Sequence, residues 1–205
     1  MSTRGRESAE AFKTLMEEKI RALIGEFAEG QLSREQFHVL YERYSSRLSI
    51  ATEALITNNP EAIEIAKGGP PTIAVRGAFM GRALGLRIFH HKSRAFIETL
   101  GEFDVDDAKI TPILNEFGMM IEVNKLVDQR LLQKDARHWL LFNPGRYTSV
   151  VTFFANEPSQ MQMKEIARLH HDFEVANTHA LQQPNVDAST LGQPFVVFIK
   201  EKFGG

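Results

Sequence analysis

The string His170-His171-Asp172-Phe173-Glu174 sets two histidines and two carboxylates within five residues. On a helix His170 and Glu174 stand at i, i+4, and His171 and Glu174 at i, i+3, so either pair shares a face. Two such ligands could touch one metal ion. A structural or catalytic metal asks for three or four, and neither His-Glu-x-x-His nor the Glu-x-x-His of di-iron bundles is present. The expectation is therefore a charged helical surface with His170 on the apolar side, against a sheet, and no metal or other cofactor.

A second group lies at Arg87, His90, His91, Lys92 and Arg94. In a strand the two adjacent histidines point to opposite faces, so they do not chelate one ion together. With the three cations they form a basic patch that could hold a small anion or an acidic partner through charge-assisted hydrogen bonds. The alternative is protection of an edge strand by Lys and Arg. Other chemistry has less support. The serines lack a Gly-x-Ser-x-Gly elbow, and Gly77–Gly85 matches neither a dinucleotide fingerprint nor a Walker loop. It reads as a loop or bulge between strands. Asp104, Asp106 and Asp107 lack an EF-hand pattern, and capping of a helix N-terminus explains them. Trp139, Phe142, Phe153 and Phe154 could stack on nucleobases, but adjacent Phe153 and Phe154 face opposite ways in a strand.

The elements that would position these groups are legible. Arg137–Phe142 is aromatic and aliphatic, Asn143-Pro144-Gly145-Arg146 is a turn, and Tyr147–Ala155 is β-branched and aromatic, which together read as a hairpin. Pro158-Ser159 opens a helix reaching about Ala180. Upstream, Ala83–His91 reads as a strand with Leu84, Leu86 and Ile88 on one face. Lys92-Ser93 turns it, and Arg94–Leu100 returns. Thr72–Arg76 reads as a further strand. A helix is expected from about Ala108 to Gln133, and a last strand over Phe195–Phe203.

At the N-terminus, Phe12, Leu15, Met16, Ile20, Leu23, Ile24 and Phe27 recur at helical spacing. Gly30 suits the residue beyond a helix end, and Ser33 with Gln36 forms a capping box for a second helix. Two such helices make an antiparallel hairpin whose apolar face needs cover. Asn58-Asn59-Pro60 breaks the second helix, a short helical piece follows over Glu61–Lys67, and Gly68-Gly69-Pro70-Pro71 is a linker. The expected organisation is a helical hairpin over 1–67, a linker at 68–71 and an α+β sheet domain over 72–205. The fold class is α+β: a mainly antiparallel sheet with two long helices packed on it.

Gly30-Gln31-Leu32-Ser33-Arg34-Glu35-Gln36-Phe37 resembles the string that opens the second helix of the short hairpin modules called SHOCT domains; the resemblance spans Gly30–Arg43. It implies an interaction or oligomerisation role. The order of elements over Thr72–Phe203 resembles the profilin-like group of roadblock, longin, PAS and GAF modules. That resemblance implies a sensing or scaffolding module, often dimeric, and carries over no site residues.

The totals narrow the field further. The 205 residues carry 43% hydrophobic and 24% charged side chains, so a sizeable core is available. A net charge of −2 gives no bulk attraction to nucleic acid or anionic membrane. The charge is uneven: residues 68–100 hold five basic residues and one acid, and residues 101–135 hold four and eight. Zero cysteines exclude disulfides and thiolate chemistry. No stretch reads as an export signal or a membrane span, so a cytoplasmic protein is expected. The functional expectation is a non-catalytic regulatory or scaffolding protein that self-associates as a homodimer and binds a protein partner. Its alternatives are a sensor of a small anionic ligand, and a nucleic-acid-binding regulator that the acidic balance disfavours.

Overall fold

The structure is a computed structural model, and it describes residues 3–59, 61–192 and 195. Its internal contacts divide the chain into two units, Met1–Met80 with Ser159–Met161, and Gly81–Pro158 with Gln162–Gly205. The division falls one short helix beyond the Gly68–Pro71 linker.

The first unit is helical. α1 (Thr3–Ala28) and α2 (Arg34–Thr57) pack together, and α3 (Glu61–Lys67) and α4 (Thr72–Ala78) follow. Phe12, Met16 and Leu23 of α1 meet Leu40, Tyr44, Ala51 and Ala54 of α2 in one core that also takes Ile63 and Ala66. α1 stops because Gly30 turns left-handed, at φ +75°. The Gly30 N–H then bonds the Phe27 carbonyl and the Gln31 N–H the Glu26 carbonyl, the paired bonds of a Schellman end. Ser33 and Gln36 close the capping box in both directions. The linker is pinned to α2: the Arg47 guanidinium donates to the Gly68 carbonyl at 2.6 Å, and that of Arg43 donates to the Pro70 carbonyl.

Thr72–Arg76 is helical, and this corrects the strand expected from Thr72, Ile73 and Val75. Pro71 sits at the N-cap with φ −57°, and its carbonyl accepts from the Ala74 and Val75 N–H groups. Proline presets the entry to a helix, which outweighs the modest β preference of its neighbours.

The second unit is a five-stranded antiparallel sheet in the order β2-β1-β5-β4-β3, and it confirms the α+β class. Its strands are β1 (Arg82–His90), β2 (Ala95–Gly101), β3 (Arg130–Gln133), β4 (His138–Pro144) and β5 (Thr148–Ala155). Both faces are covered. α5 (Asp107–Glu122) lays Ile110, Leu114 and Phe117 on Phe89, Phe142, Val151 and Phe153. α6 (Gln160–Leu181) lays Leu169 and Phe173 on Leu86, Ile88 and Val150 on the other side, with Ile166 against Leu141 and Phe154. Central β5 is buried along nearly its whole length, as a strand covered on both faces must be. Phe142, Phe153 and Phe154 are accordingly core rings, with Phe153 and Phe154 on opposite faces.

Two further expectations are corrected. The helix beginning near Ala108 ends at Glu122 and does not reach Gln133. Asn124 adopts φ +54°, its N–H bonds the Ile121 carbonyl, and the Lys125 N–H bonds the Met120 carbonyl. Asparagine tolerates this left-handed end without glycine. The chain then forms β3, whose Leu131 pairs with Leu141; in the sequence the same leucine had fitted the helical period. Leu84 does not share a face with Leu86 and Ile88 either. A bulge between Ala83 and Gly85 inserts one residue, so Leu84 packs towards α5. The strand expected over Phe195–Phe203 lies outside the described residues except for Phe195, which packs 5.8 Å from the Phe173 ring.

Candidate functional site

Antiparallel pairing of β1 with β5 puts His90 opposite Thr148, so the end of β1 lies beside the β4–β5 turn. The last residues of α5 and α6 reach the same end of the sheet. Polar side chains from four separate segments meet there.

The turn is held from α6. One oxygen of Glu174, Oε1, accepts the N–H groups of Tyr147 and Thr148 and the Thr148 hydroxyl, each at 2.8 Å; Oε2 accepts the Arg146 N–H at 2.8 Å. Three consecutive backbone N–H groups around one carboxylate form an anion nest, and the protein fills it with its own side chain. Gly145 is required at this approach, because a Cβ there would lie 2.6 Å from Glu174 Oε1 and from His170 Cε1.

A line of hydrogen bonds runs on from Glu174, and its direction is fixed at both ends. Gln129 donates from Nε2 to the Met163 carbonyl, which can only accept, and through the same nitrogen to Asn143 Oδ1. Asn143 must then present Nδ2 to His170 Nδ1, at 2.6 Å. His170 therefore keeps its proton on Nε2 and donates it to Thr148 Oγ1 at 2.7 Å, and that hydroxyl donates to Glu174. Burial pushes the His170 imidazole down to about 4, with Glu174 pulling the other way and His91 and His171 adding to the depression. The ring is neutral at pH 7. Thr148, His170 and Glu174 superficially resemble a nucleophile–base–acid set. Yet the carboxylate bonds the hydroxyl and not the ring, and all three are buried. Their chemistry is structural. His171 and Asp172, by contrast, are exposed on α6, and Asp172 pairs with Arg168.

Beside this turn is a cavity of about 400 Å³. β1 and its turn contribute His90, His91 and Lys92, the β4–β5 turn contributes Arg146 and Tyr147, α5 and its end contribute Gly118, Ile121, Glu122 and Asn124, and the end of α6 contributes Leu181 and Gln182. His90 is fully buried: its Nε2 donates to the Leu181 carbonyl at 2.9 Å and its Nδ1 accepts the Ser93 N–H. The Lys92 ammonium donates to the Gln182 carbonyl at 2.9 Å. The Arg146 guanidinium lies over the ring of Tyr147, 5.3 Å from its centroid.

His91 is 8% exposed and is held by Ser149 Oγ, 2.8 Å from Nε2. Its Nδ1 has no hydrogen-bond partner among the described residues, although the Arg146 carbonyl is near enough to favour a proton on the ring. Burial pushes this imidazole down to about 4 as well. Glu174, the Arg146 carbonyl and Glu122 oppose that shift, and His90 adds to it.

The five basic-patch residues thus separate. His90, His91 and Lys92 line the cavity. Arg87 lies on β1 away from it, paired with Asp107 and stacked 3.7 Å from the centroid of the Phe96 ring. Arg94 takes φ +54° in the exposed β1–β2 turn and does not line the cavity. His90 and His91 point to the α6 and α5 sides of the strand, as the alternation of a strand requires. Among the described residues no three His, Asp or Glu side chains converge as a metal site would need. Asp106 caps α5, accepting the Ala108 N–H. No helix in the described chain is long and apolar enough to cross a membrane.

Sequence reasoning did not find Arg146, Tyr147, Glu122, Asn124 or Gln182. One signal was present for Glu174. His170, Glu174 and Asn177 fall on the stripe of Ile166, Leu169, Phe173 and Leu181 on α6, so polar groups on that stripe had to be buried and partnered. No protein-family model matches the chain, and no curated protein is significantly similar to it.

Proposed function

We propose that the sheet unit is a sensor module that takes a small organic acid into the cavity at the end of the sheet, and that binding rather than turnover is its task. The observation that carries this reading is the cavity, of a size ordinary for a small-molecule site. Two cationic side chains, Lys92 and Arg146, stand in its wall beside a buried histidine whose Nδ1 has no hydrogen-bond partner among the described residues. Arg146 is the main anchor for the acid. Its side chain is exposed and, among the described residues, engages its neighbouring tyrosine alone, whereas Lys92 is already bonded to Gln182. Thermal-shift screening with a panel of small carboxylates and phosphates, followed by calorimetry on Arg146→Ala, tests the reading. Stabilisation by at least one acid that Arg146→Ala abolishes is expected. A panel without effect on the wild-type chain would refute it.

A second reading, self-association of the helical unit, is favoured by a separate observation. Ile24, Phe27 and Tyr41 are 49%, 37% and 40% exposed, and Phe37 stacks between Phe27 and Tyr41 at 4.5 and 5.5 Å. This aromatic row is the surface on which a homodimer or a partner helix would form. The native mass of the full chain, before and after Phe27→Glu, tests it; a monomer in both cases removes this reading.

A further inference from the structure

The charges around the cavity do not sum to a site for a bare anion. Lys92 and Arg146 supply two positive charges, and Glu122 supplies one negative charge from the opposite element. The 16-residue α5 and the 22-residue α6 both end at the cavity, at Glu122 and Leu181. A helix C-terminus acts as about half a negative charge, so the two ends together offset the second cation. His91 is neutral at pH 7 and contributes none. The wall as a whole is close to neutral, yet its charges are separated: the guanidinium comes from the β4–β5 turn, and the carboxylate from the end of α5.

We propose that the ligand is a zwitterion with an apolar body, of the α-amino-acid class. The inference rests on the sensor reading above and specifies its ligand. The acid group of the ligand pairs with Arg146. Its ammonium pairs with Glu122, where the carboxylate and the C-terminal end of α5 favour a cation in the same place. Ile121, Leu181 and the ring of Tyr147 supply apolar surface for the side chain. A bare carboxylate satisfies Arg146 but leaves Glu122 and the end of α5 facing a ligand of the same sign, whereas the end of α6 already bonds His90 and Lys92. A bare amine has the converse defect at Arg146 and Lys92.

Matched probes separate these cases on the full chain by calorimetry: leucine beside isocaproate, and phenylalanine beside hydrocinnamate, each pair differing only in the ammonium group. At least one amino acid is expected to bind about tenfold more tightly than its des-amino partner, a difference of about 1.4 kcal/mol. Glu122→Gln should bring that amino acid to the level of its partner and leave the partner's own binding unchanged or stronger. Glu122 is exposed and caps no element, so the variant folds. If isocaproate or hydrocinnamate binds as tightly as its amino acid, or Glu122→Gln has no effect, the zwitterion proposal is overturned while the organic-acid reading stands. If neither member of either pair binds at millimolar concentration, the zwitterion proposal falls, and the organic-acid reading falls with it when the carboxylate and phosphate panel is also without effect.

Discussion

Replacing Glu174 by Gln keeps the size of the side chain and removes its charge, so it isolates what the carboxylate does for the β4–β5 turn. Glu174 accepts four hydrogen bonds, three of them at Oε1. A glutamine oxygen in that position keeps those three as neutral bonds, each weaker by about 1 kcal/mol than its charge-assisted counterpart. The amide nitrogen then faces the Arg146 N–H, donor against donor. That part-buried N–H loses its acceptor, which adds about 1 kcal/mol. The amide is cheaper to bury than a carboxylate, which returns part of the cost. The net expectation is a destabilisation of about 3 kcal/mol, a large fraction of the stability of an ordinary domain. Trp139, the single tryptophan, lies on β4 paired with Phe154, so its fluorescence reports unfolding of the sheet unit. With a urea slope of about 2 kcal/mol/M the midpoint should fall by about 1.5 M at constant slope. A fall below about 0.5 M would mean that the carboxylate charge is not what holds the turn, and the nest argument would be wrong.

Gly145→Ala should destabilise the same unit by about 1–3 kcal/mol, because the new Cβ meets Glu174 Oε1 and His170 Cε1 at 2.6 Å; the same urea titration measures it. His91 and His170 both fall from an unfolded value near 6.5 to about 4 in the folded chain. Between those values the unfolded state binds more protons, so stability is fully present above the unfolded value and is lost as pH falls towards 4. Each ring accounts for up to roughly 3 kcal/mol of that loss. Urea midpoints measured from pH 7 down to pH 4.5 should decline, and a flat profile would contradict the burial of the two rings. Nitrogen-detected NMR at pH 7 should find His170 protonated on Nε2 and not on Nδ1, since the Met163 carbonyl fixes the direction of the whole line. In the helical unit, Ser33→Ala should cost about 1 kcal/mol by opening the capping box, seen as a lower thermal midpoint.

Local chemistry was readable in the residues themselves. Ser33 and Gln36 announced the start of α2, Gly30 the end of α1, and Asn143-Pro144-Gly145-Arg146 the hairpin of β4 and β5. Caps and turns are satisfied by residues a few positions apart, so their pattern survives in one dimension. α4 and β3 were misread because short apolar segments fit either period. Pro71 and the left-handed Asn124 decided those cases through backbone bonds to their own neighbours. The cavity had no such local signature, and the Glu174 nest showed itself only as polar residues on the apolar stripe of α6. Their members come from the end of β1, the end of α5, the β4–β5 turn and α6, and only the pairing of β1 with β5 and the packing of helices on both faces bring them within hydrogen-bond reach. The sequence by itself determined the two long N-terminal helices, α6, the β4–β5 turn and that an α+β core would form, because periodicity and capping act over a few residues. That His170 faces the sheet was legible too; whether His90 and His91 are buried, which cation is left for a ligand and which carboxylate is spent on the backbone were decided by tertiary structure alone, since burial and partner choice are set by residues far apart in the chain.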